Sequence, residues 1–264
     1  MRIAIMTDLE GVAGVIDSTN WCLWDSRYYE TAKRLLAEEV NAAVRGFRSA
    51  GATEFHVIDG HGHGGIDICA LDPDVEYARG WPDKWPFGLD ESFDAVAWVG
   101  QHAKAGTERA HLCHTQSMHM IDLSVNGVSI GEFGQLAFCA AELGIPAIFG
   151  SGDEAFTREA QALIPGIETV SVKRGVATGS GEECDPDQYR ARNAAAVHIP
   201  PARARGLIEA GAKRAMERFK AGEIELRRLA PPYECVMVFR ADAERPRREV
   251  RKSHPTSFIA LMNS

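Results

Sequence analysis

Four short segments carry side chains able to bind metal ions or move protons, and each lies beside glycine. They are Asp8-Leu9-Glu10-Gly11, Asp59-Gly60-His61-Gly62-His63, Gly100-Gln101-His102 and Gly131-Glu132-Phe133-Gly134. Carboxylates mixed with imidazoles suit zinc, manganese or iron, whereas magnesium and calcium favour sites built from oxygen alone. A single tetrahedral catalytic zinc takes three protein ligands and keeps one position open. Asp8, Glu10, His61, His102 and Glu132 exceed that number, and they divide between two ions if Asp8 is shared. A pair of ions activates water and clamps the oxygens of a transition state. His111, His114 and His119 follow the third segment, and any one of them suits a general acid/base or an oxyanion-stabilising role.

Taken singly, each residue has a plainer reading. Asp8 suits a turn after a strand, His61 a solvated loop, and His102 a cap or core position. Glu132 near a helix start complements the helix dipole without any metal. His63 is an extra ligand or a free loop residue, and Asp59 either receives a substrate amine or orients a ligating histidine from behind. His56 alternates with Phe55 and Val57, which points to a structural place in a strand. The coincidence of the four segments at the ends of elements is what favours a metal site.

Those elements follow from periodicity. Arg2 to Thr7, Glu54 to Ile58 and Phe93 to Val99 read as strands, and each runs directly into one of the ligand segments. Tyr28 to Ala50 has Leu36, Val40, Ala43, Val44 and Phe47 at helical spacing, with Gly51 as a stop. Leu71 to Asp90, with Trp81 and Trp85, reads as an irregular excursion. Asn126-Gly127 between Ile121–Val125 and Val128–Ile130 is a hairpin signal. A helix over Glu132–Leu143, a strand over Pro146–Phe149, a helix over Asp153–Leu163 capped by Ser151 or Asp153, and a strand over Glu168–Val172 come next. Asp187 to Lys220 is largely helical around Ile199-Pro200-Pro201, Tyr233 to Phe239 is a late strand, and the charged tail is weakly patterned. Alternating strands and helices predict an α/β fold: a mainly parallel sheet with helices on both faces and room for a smaller second lobe. Ligands of such sheets bind beyond the carboxyl ends of the strands.

No linker or repeat divides the 264 residues, so one domain over 1–264 is expected. A net charge of −8 argues against nucleic acid or anionic membranes as partners. The first apolar run is too short for a signal segment, and nothing approaches a transmembrane length. The six cysteines form no CxxC pair, which fits free thiols and a cytoplasmic location.

The segments also resemble a known family, the DppA-type D-aminopeptidases, which are dinuclear zinc metallopeptidases. The resemblance rests on Thr7-Asp8-Leu9-Glu10-Gly11, Asp59-Gly60-His61, Gly100-Gln101-His102-Ala103-Lys104-Ala105, Cys113-His114-Thr115 and Gly131-Glu132-Phe133-Gly134, in that order, and runs to about Lys173. It implies two zinc ions per chain held by Asp8, Glu10, His61, His102 and Glu132, with His114 as the catalytic histidine. It further implies cleavage of N-terminal D-amino acids from short peptides or amides, and a homo-oligomer, a decamer. A metal-dependent amidase acting on a small non-peptide amide is the alternative. A haloacid-dehalogenase-like phosphatase also carries an acidic motif after its first strand, and Gly152-Asp153-Glu154 imitates its later one, but its magnesium chemistry has no use for His61, His102 and His114.

Overall fold

The apolar runs become strands covered on both faces. The computed structural model describes residues 1–80 and 84–264. In chain order the elements are β1 (Arg2–Thr7), α1 (Ser18–Trp21), α2 (Tyr29–Ser49), β2 (Glu54–Asp59), β3 (Glu76–Ala78), β4 (Ala95–Gln101), β5 (Met120–Val125) and β6 (Val128–Ser129). There follow α3 (Glu132–Glu142), β7 (Ala147–Asp153), α4 (Glu154–Leu163), β8 (Glu168–Gly175), α5 (Pro186–Arg192), β9 (Ala196–His198), α6 (Pro201–Lys220), β10 (Tyr233–Phe239), β11 (Arg248–His254) and α7 (Phe258–Asn263).

The larger sheet has the order β3-β2-β1-β4-β7-β8-β9 and is parallel except for β9. Successive side chains of a strand point to opposite faces, and the two cores divide accordingly. Ile3, Ile5, Ala95, Ala97 and Val99 pack beneath α2 and α6. Ala4, Met6, Val96 and Trp98 pack against α3, α4 and the second sheet. Burying a side chain such as Leu36, Val40 or Phe47 of α2 contributes about 1.5–3 kcal/mol each. The second sheet, β11-β10-β5-β6, is antiparallel and forms the smaller lobe. Its β5–β6 hairpin turns at Asn126 (φ 51°) and Gly127 (φ 77°), the paired positive φ of a type I′ turn.

The strand order reverses between β1 and β4, and this opens a crevice at their carboxyl ends. Gly100 sits there with φ +77°, at a register irregularity of β4 against β7. A Cβ on Gly100 would come within 2.1 Å of the Asp8 carbonyl oxygen. The bulge therefore lets the loop after β1 lie directly on the end of β4, and it re-aims the residues that follow.

Some elements differ from the sequence expectation. The excursion 71–90 contains the edge strand β3, while Trp81 lies outside the described residues. The helical stretch 187–220 is broken by β9, which pairs antiparallel with β8 through Lys173–Gly175 and so satisfies backbone groups that local propensity does not report. The charged tail forms β11, whose residues alternate between half-buried and exposed but carry too few apolar side chains to register as a pattern. Among the described residues, no helix is long and apolar enough to cross a membrane.

Gly100→Ala combines a strained φ with a backbone clash, so it should destabilise the fold by about 2 kcal/mol or more. A melting temperature equal to that of the unmodified protein would show that the bulge tolerates a side chain.

Candidate metal centre

Each ligand candidate leaves the end of an element. β1 delivers Asp8 and Glu10, β2 delivers His61, β4 delivers His102, and Glu132 is the first residue of α3. The backbone ties these ends together. Asp8 N–H donates to the Val99 carbonyl (3.1 Å) and Gly11 N–H to the Gly100 carbonyl (2.7 Å). Glu132 is fixed by its neighbour Phe133, which is buried edge-on against Trp98 of β4 (ring centroids 4.6 Å apart) and Phe156 of α4 (5.4 Å).

The side chains converge. His102 Nε2 lies 3.1 Å from Asp8 Oδ2 and 3.7 Å from Glu132 Oε2. His61 Nε2 is 3.6 Å from Glu10 Oε1, and His114 Nε2 is 3.9 Å from Glu132 Oε1. The His102 and His114 rings stack with centroids 4.1 Å apart. Donor atoms of Asp8, Glu10 and His61 fall within 4.8 Å of one another, as do those of His102, His114 and Glu132.

Tautomers show what this arrangement requires. His102 Nδ1 lies 2.8 Å from the Ala103 carbonyl, and His114 Nδ1 lies 2.9 Å from the Leu112 carbonyl. A carbonyl only accepts, so each Nδ1 carries hydrogen, and the neutral ring turns its Nε2 lone pair toward carboxylate oxygens. Lone pair against carboxylate is repulsive unless a cation or a proton stands between. His102 Nε2 and Glu10 Oε2 are buried without a directional hydrogen bond. The strain also appears in the proton affinities. Burial and the Glu10 charge push Asp8 up to about 7. Burial opposes ionisation of Glu10, yet the adjoining His61 holds its carboxyl well below the usual range. Burial likewise opposes the charge on His61, but Glu10 outweighs it and raises the imidazole to about 9. Divalent cations would satisfy all of these atoms at once, so the donor set fits a pair of them.

Asp8, Glu10, His61, His114 and Glu132 also line a cavity of about 390 Å³, a volume suited to a small ligand. A family model described as D-aminopeptidase (peptidase M55) matches residues 1–197. The chain belongs to the D-aminopeptidase family. A D-aminopeptidase of Bacillus subtilis (strain 168) is 30% identical over 183 residues, covering 67% of this chain and 65% of that protein, so the chain matches slightly under two thirds of that relative's length. The solved structure of the Zn-dependent D-aminopeptidase DppA from Bacillus subtilis, described as a self-compartmentalizing protease, superimposes with a TM-score of 0.85 at 20% identity over 100% of this chain and 95% of that one. That likeness shows a common fold.

The part of the chain shared with the D-aminopeptidase family contains all the converging residues, and the structure sorts the other candidates. His111 is fully buried with Nε2 against the Ile16 and Ala194 carbonyls (2.9 and 3.2 Å), and burial followed by the Lys173 charge pushes it down to about 2. It is a neutral core residue and not an acid/base group. His119 lies at the cavity mouth beside Asp242 (3.3 Å), and His63 is exposed there. Asp59 does not orient the His61 ring. Its oxygens accept from Gly65 N–H (2.8 and 3.0 Å) and Tyr77 O–H (2.8 Å), which anchors the loop that carries His61. Asp153 caps α4 by accepting from Phe156 N–H, and it also accepts from His111 N–H, so the phosphatase-like motif is structural.

Sequence reasoning missed the residues that brace the site. Glu159 of α4 accepts from Lys104 N–H (2.7 Å) and Gly131 N–H (3.1 Å), which locks the loop after His102 to the residue before Glu132. Glu39 accepts from Ala13 N–H (2.9 Å) and Lys173 donates to the Val15 carbonyl (3.1 Å), pinning the loop that follows Glu10. In helix or strand patterns these residues look like ordinary surface charges.

Burial lowers Lys173 from its ordinary 10.5 to about 8. Between these values the unfolded chain binds more protons than the folded one, so this lysine makes stability rise with pH. The stability of the unmodified protein relative to Lys173→Met should therefore increase from about pH 8 to about pH 10.5, measured by urea unfolding. A difference that stays flat with pH would contradict the burial of a titrating ammonium.

Proposed function

We propose that the chain is a dinuclear zinc aminopeptidase that removes N-terminal residues, D-amino acids, from short peptides. The observation that carries this reading is the set of imidazole Nε2 lone pairs turned on carboxylates at the floor of an open cavity. In this reading Asp8, Glu10, His61, His102 and Glu132 would hold the ions, and Asp8 of one donor group approaches His102 of the other at 3.1 Å. Zinc is supported by the mixed donor set and by the zinc dependence named for the related fold. The preference for D residues is supported by the family description.

When bound, such an ion pair supplies Lewis-acid polarisation of a carbonyl and an acidified water. The chain's own residues supply orientation and proton transfer. His114 lines the cavity while His102 lies behind it, so of these two stacked histidines His114 is the one in reach of substrate. Its Nδ1–H is committed to the Leu112 carbonyl, which leaves Nε2 as the single atom that can take a proton and pass it to the leaving amine. Burial lowers its proton affinity, so Nε2 is free to accept at neutral pH.

The reading treats residues 1–264 as one working unit, supported by the second sheet, whose late strand β10 pairs with β5 ahead of the hairpin that leads to Glu132. A homo-oligomer is supported by the self-compartmentalizing description of the related fold and by the exposed apolar Leu23, which lines the cavity, with its neighbour Trp24, and a decamer is the size that the family resemblance implies. A cytoplasmic location fits the free cysteines.

Elemental analysis should find two zinc per chain, and chelation should abolish cleavage of D-alanine p-nitroanilide in preference to the L isomer. Protein that takes up no metal would sink the reading. His114→Ala should cut turnover by about 10²–10⁴-fold with metal content retained, and loss of both together would make His114 a ligand instead. Trp24→Glu should lower the assembly mass in sedimentation, and an unchanged mass would place the interface elsewhere.

A further inference from the structure

Charge along the cavity is divided by depth. Its buried carboxylates are Asp8 and Glu10, with half-buried Glu132 beside them. Among the described residues, the ionisable side chains lining its mouth are all basic in type: His63, Lys84, His119 and Arg190. Two of these groups are already engaged, His119 by Asp242 (3.3 Å) and Arg190 by Asp187 (3.0 Å). The exposed ammonium of Lys84 differs. Among the described residues it meets the neutral amide oxygen of Gln116 and the Trp85 ring, 5.6 Å away, and forms no ion pair.

Gln116 also links this ammonium to the catalytic floor. Its main-chain N–H donates to Glu132 Oε1 at 2.6 Å, while its side chain reaches Lys84. One residue therefore separates a carboxylate of the metal centre from the cation at the mouth. Two extended residues span about 7 Å, so a dipeptide has the reach to place its amino end at the floor and its carboxylate at Lys84. The Gln116 amide is a weak partner that a carboxylate can displace, because charge-assisted hydrogen bonds are stronger than those to neutral acceptors.

We propose that Lys84 anchors the C-terminal carboxylate of the peptide substrate. This rests on the aminopeptidase reading and narrows it. The free peptide is placed with its amino end at the metal centre and its carboxylate at the basic mouth. Capped or long peptides lose the second contact.

The test compares D-Ala-D-Ala with its C-terminal amide, using the zinc-loaded enzyme. The unmodified enzyme should favour the acid by about 5- to 30-fold in kcat/KM, and the preference should shrink as salt is added. Lys84→Gln should abolish the preference and Lys84→Arg should keep most of it. Because the preference is a ratio within one preparation, partial unfolding of a variant cancels. Calorimetric binding of a reduced-bond D-Ala-D-Ala analogue, as acid and as amide, gives the same comparison without turnover. Equal cleavage of acid and amide by the unmodified enzyme would overturn the role of Lys84 and leave the aminopeptidase standing. A preference that persists in Lys84→Gln would also overturn it, placing carboxylate recognition elsewhere. Failure to cleave either peptide or D-alanine p-nitroanilide would remove the aminopeptidase reading and this proposal with it.

Discussion

Buried carboxylates cannot stand together without positive charge between them, and the site end of the sheet is organised around that constraint. Asp8 and Glu10 are nearly inaccessible and lie two residues apart on one loop. Desolvation and mutual repulsion would keep one of them protonated at neutral pH, as the rise of Asp8 to about 7 shows. Imidazolium ions or metal cations could balance them, and the carbonyls of Ala103 and Leu112, by holding each Nδ1–H, leave Nε2 of His102 and His114 as the atom that meets that charge. A second layer of neutral backbone acceptors thus decides where the positive charge sits.

Holding such a cluster requires positional accuracy, and most of it comes from backbone contact. Gly100 and Gly11 let the ends of β1 and β4 touch main chain to main chain, so Asp8, Glu10 and His102 share one rigid frame. Glu132 belongs to another layer and enters from the hairpin side. Its distance from His102 is governed by Glu159, which holds one N–H from each of the two segments. Phe133 supplies the complementary apolar hold by packing on Trp98. Metal affinity is sensitive to groups of this kind beyond the ligands themselves, and here they come from α4, β4 and α3.

The strands that carry the site were legible because each is a buried apolar run ending in glycine and polar residues. The β5–β6 turn and the capping of α4 by Asp153 were equally legible, since Asn-Gly and Asp at a helix start act locally. The strands β3, β9 and β11 were not, because each exists by pairing with an edge that its own residues do not specify. The site followed the same division. The ligand segments stood out by type and place, whereas choosing among His111, His114 and His119 from the residues alone needed knowledge of which ring faces the cavity. Glu159, Glu39 and Lys173 were invisible because a charge that braces buried backbone has the same sequence signature as one in water.

His102 and His114 show how finely that difference is drawn. Both donate Nδ1–H to a carbonyl near in sequence, both turn Nε2 toward Glu132, and their rings are stacked. Local hydrogen bonding does not distinguish a ligand from an acid/base group. Access does: His102 is 2% exposed and lies behind the cavity wall, while His114 forms part of that wall. A histidine enclosed by protein can exchange a proton only with its fixed neighbours, so its useful property is a permanently directed lone pair. A histidine on the cavity surface can meet a substrate atom, and its lowered proton affinity keeps Nε2 free to accept a proton and ready to give it up again. In the proposed reading, two chemically equivalent side chains divide the work by the depth at which the fold places them.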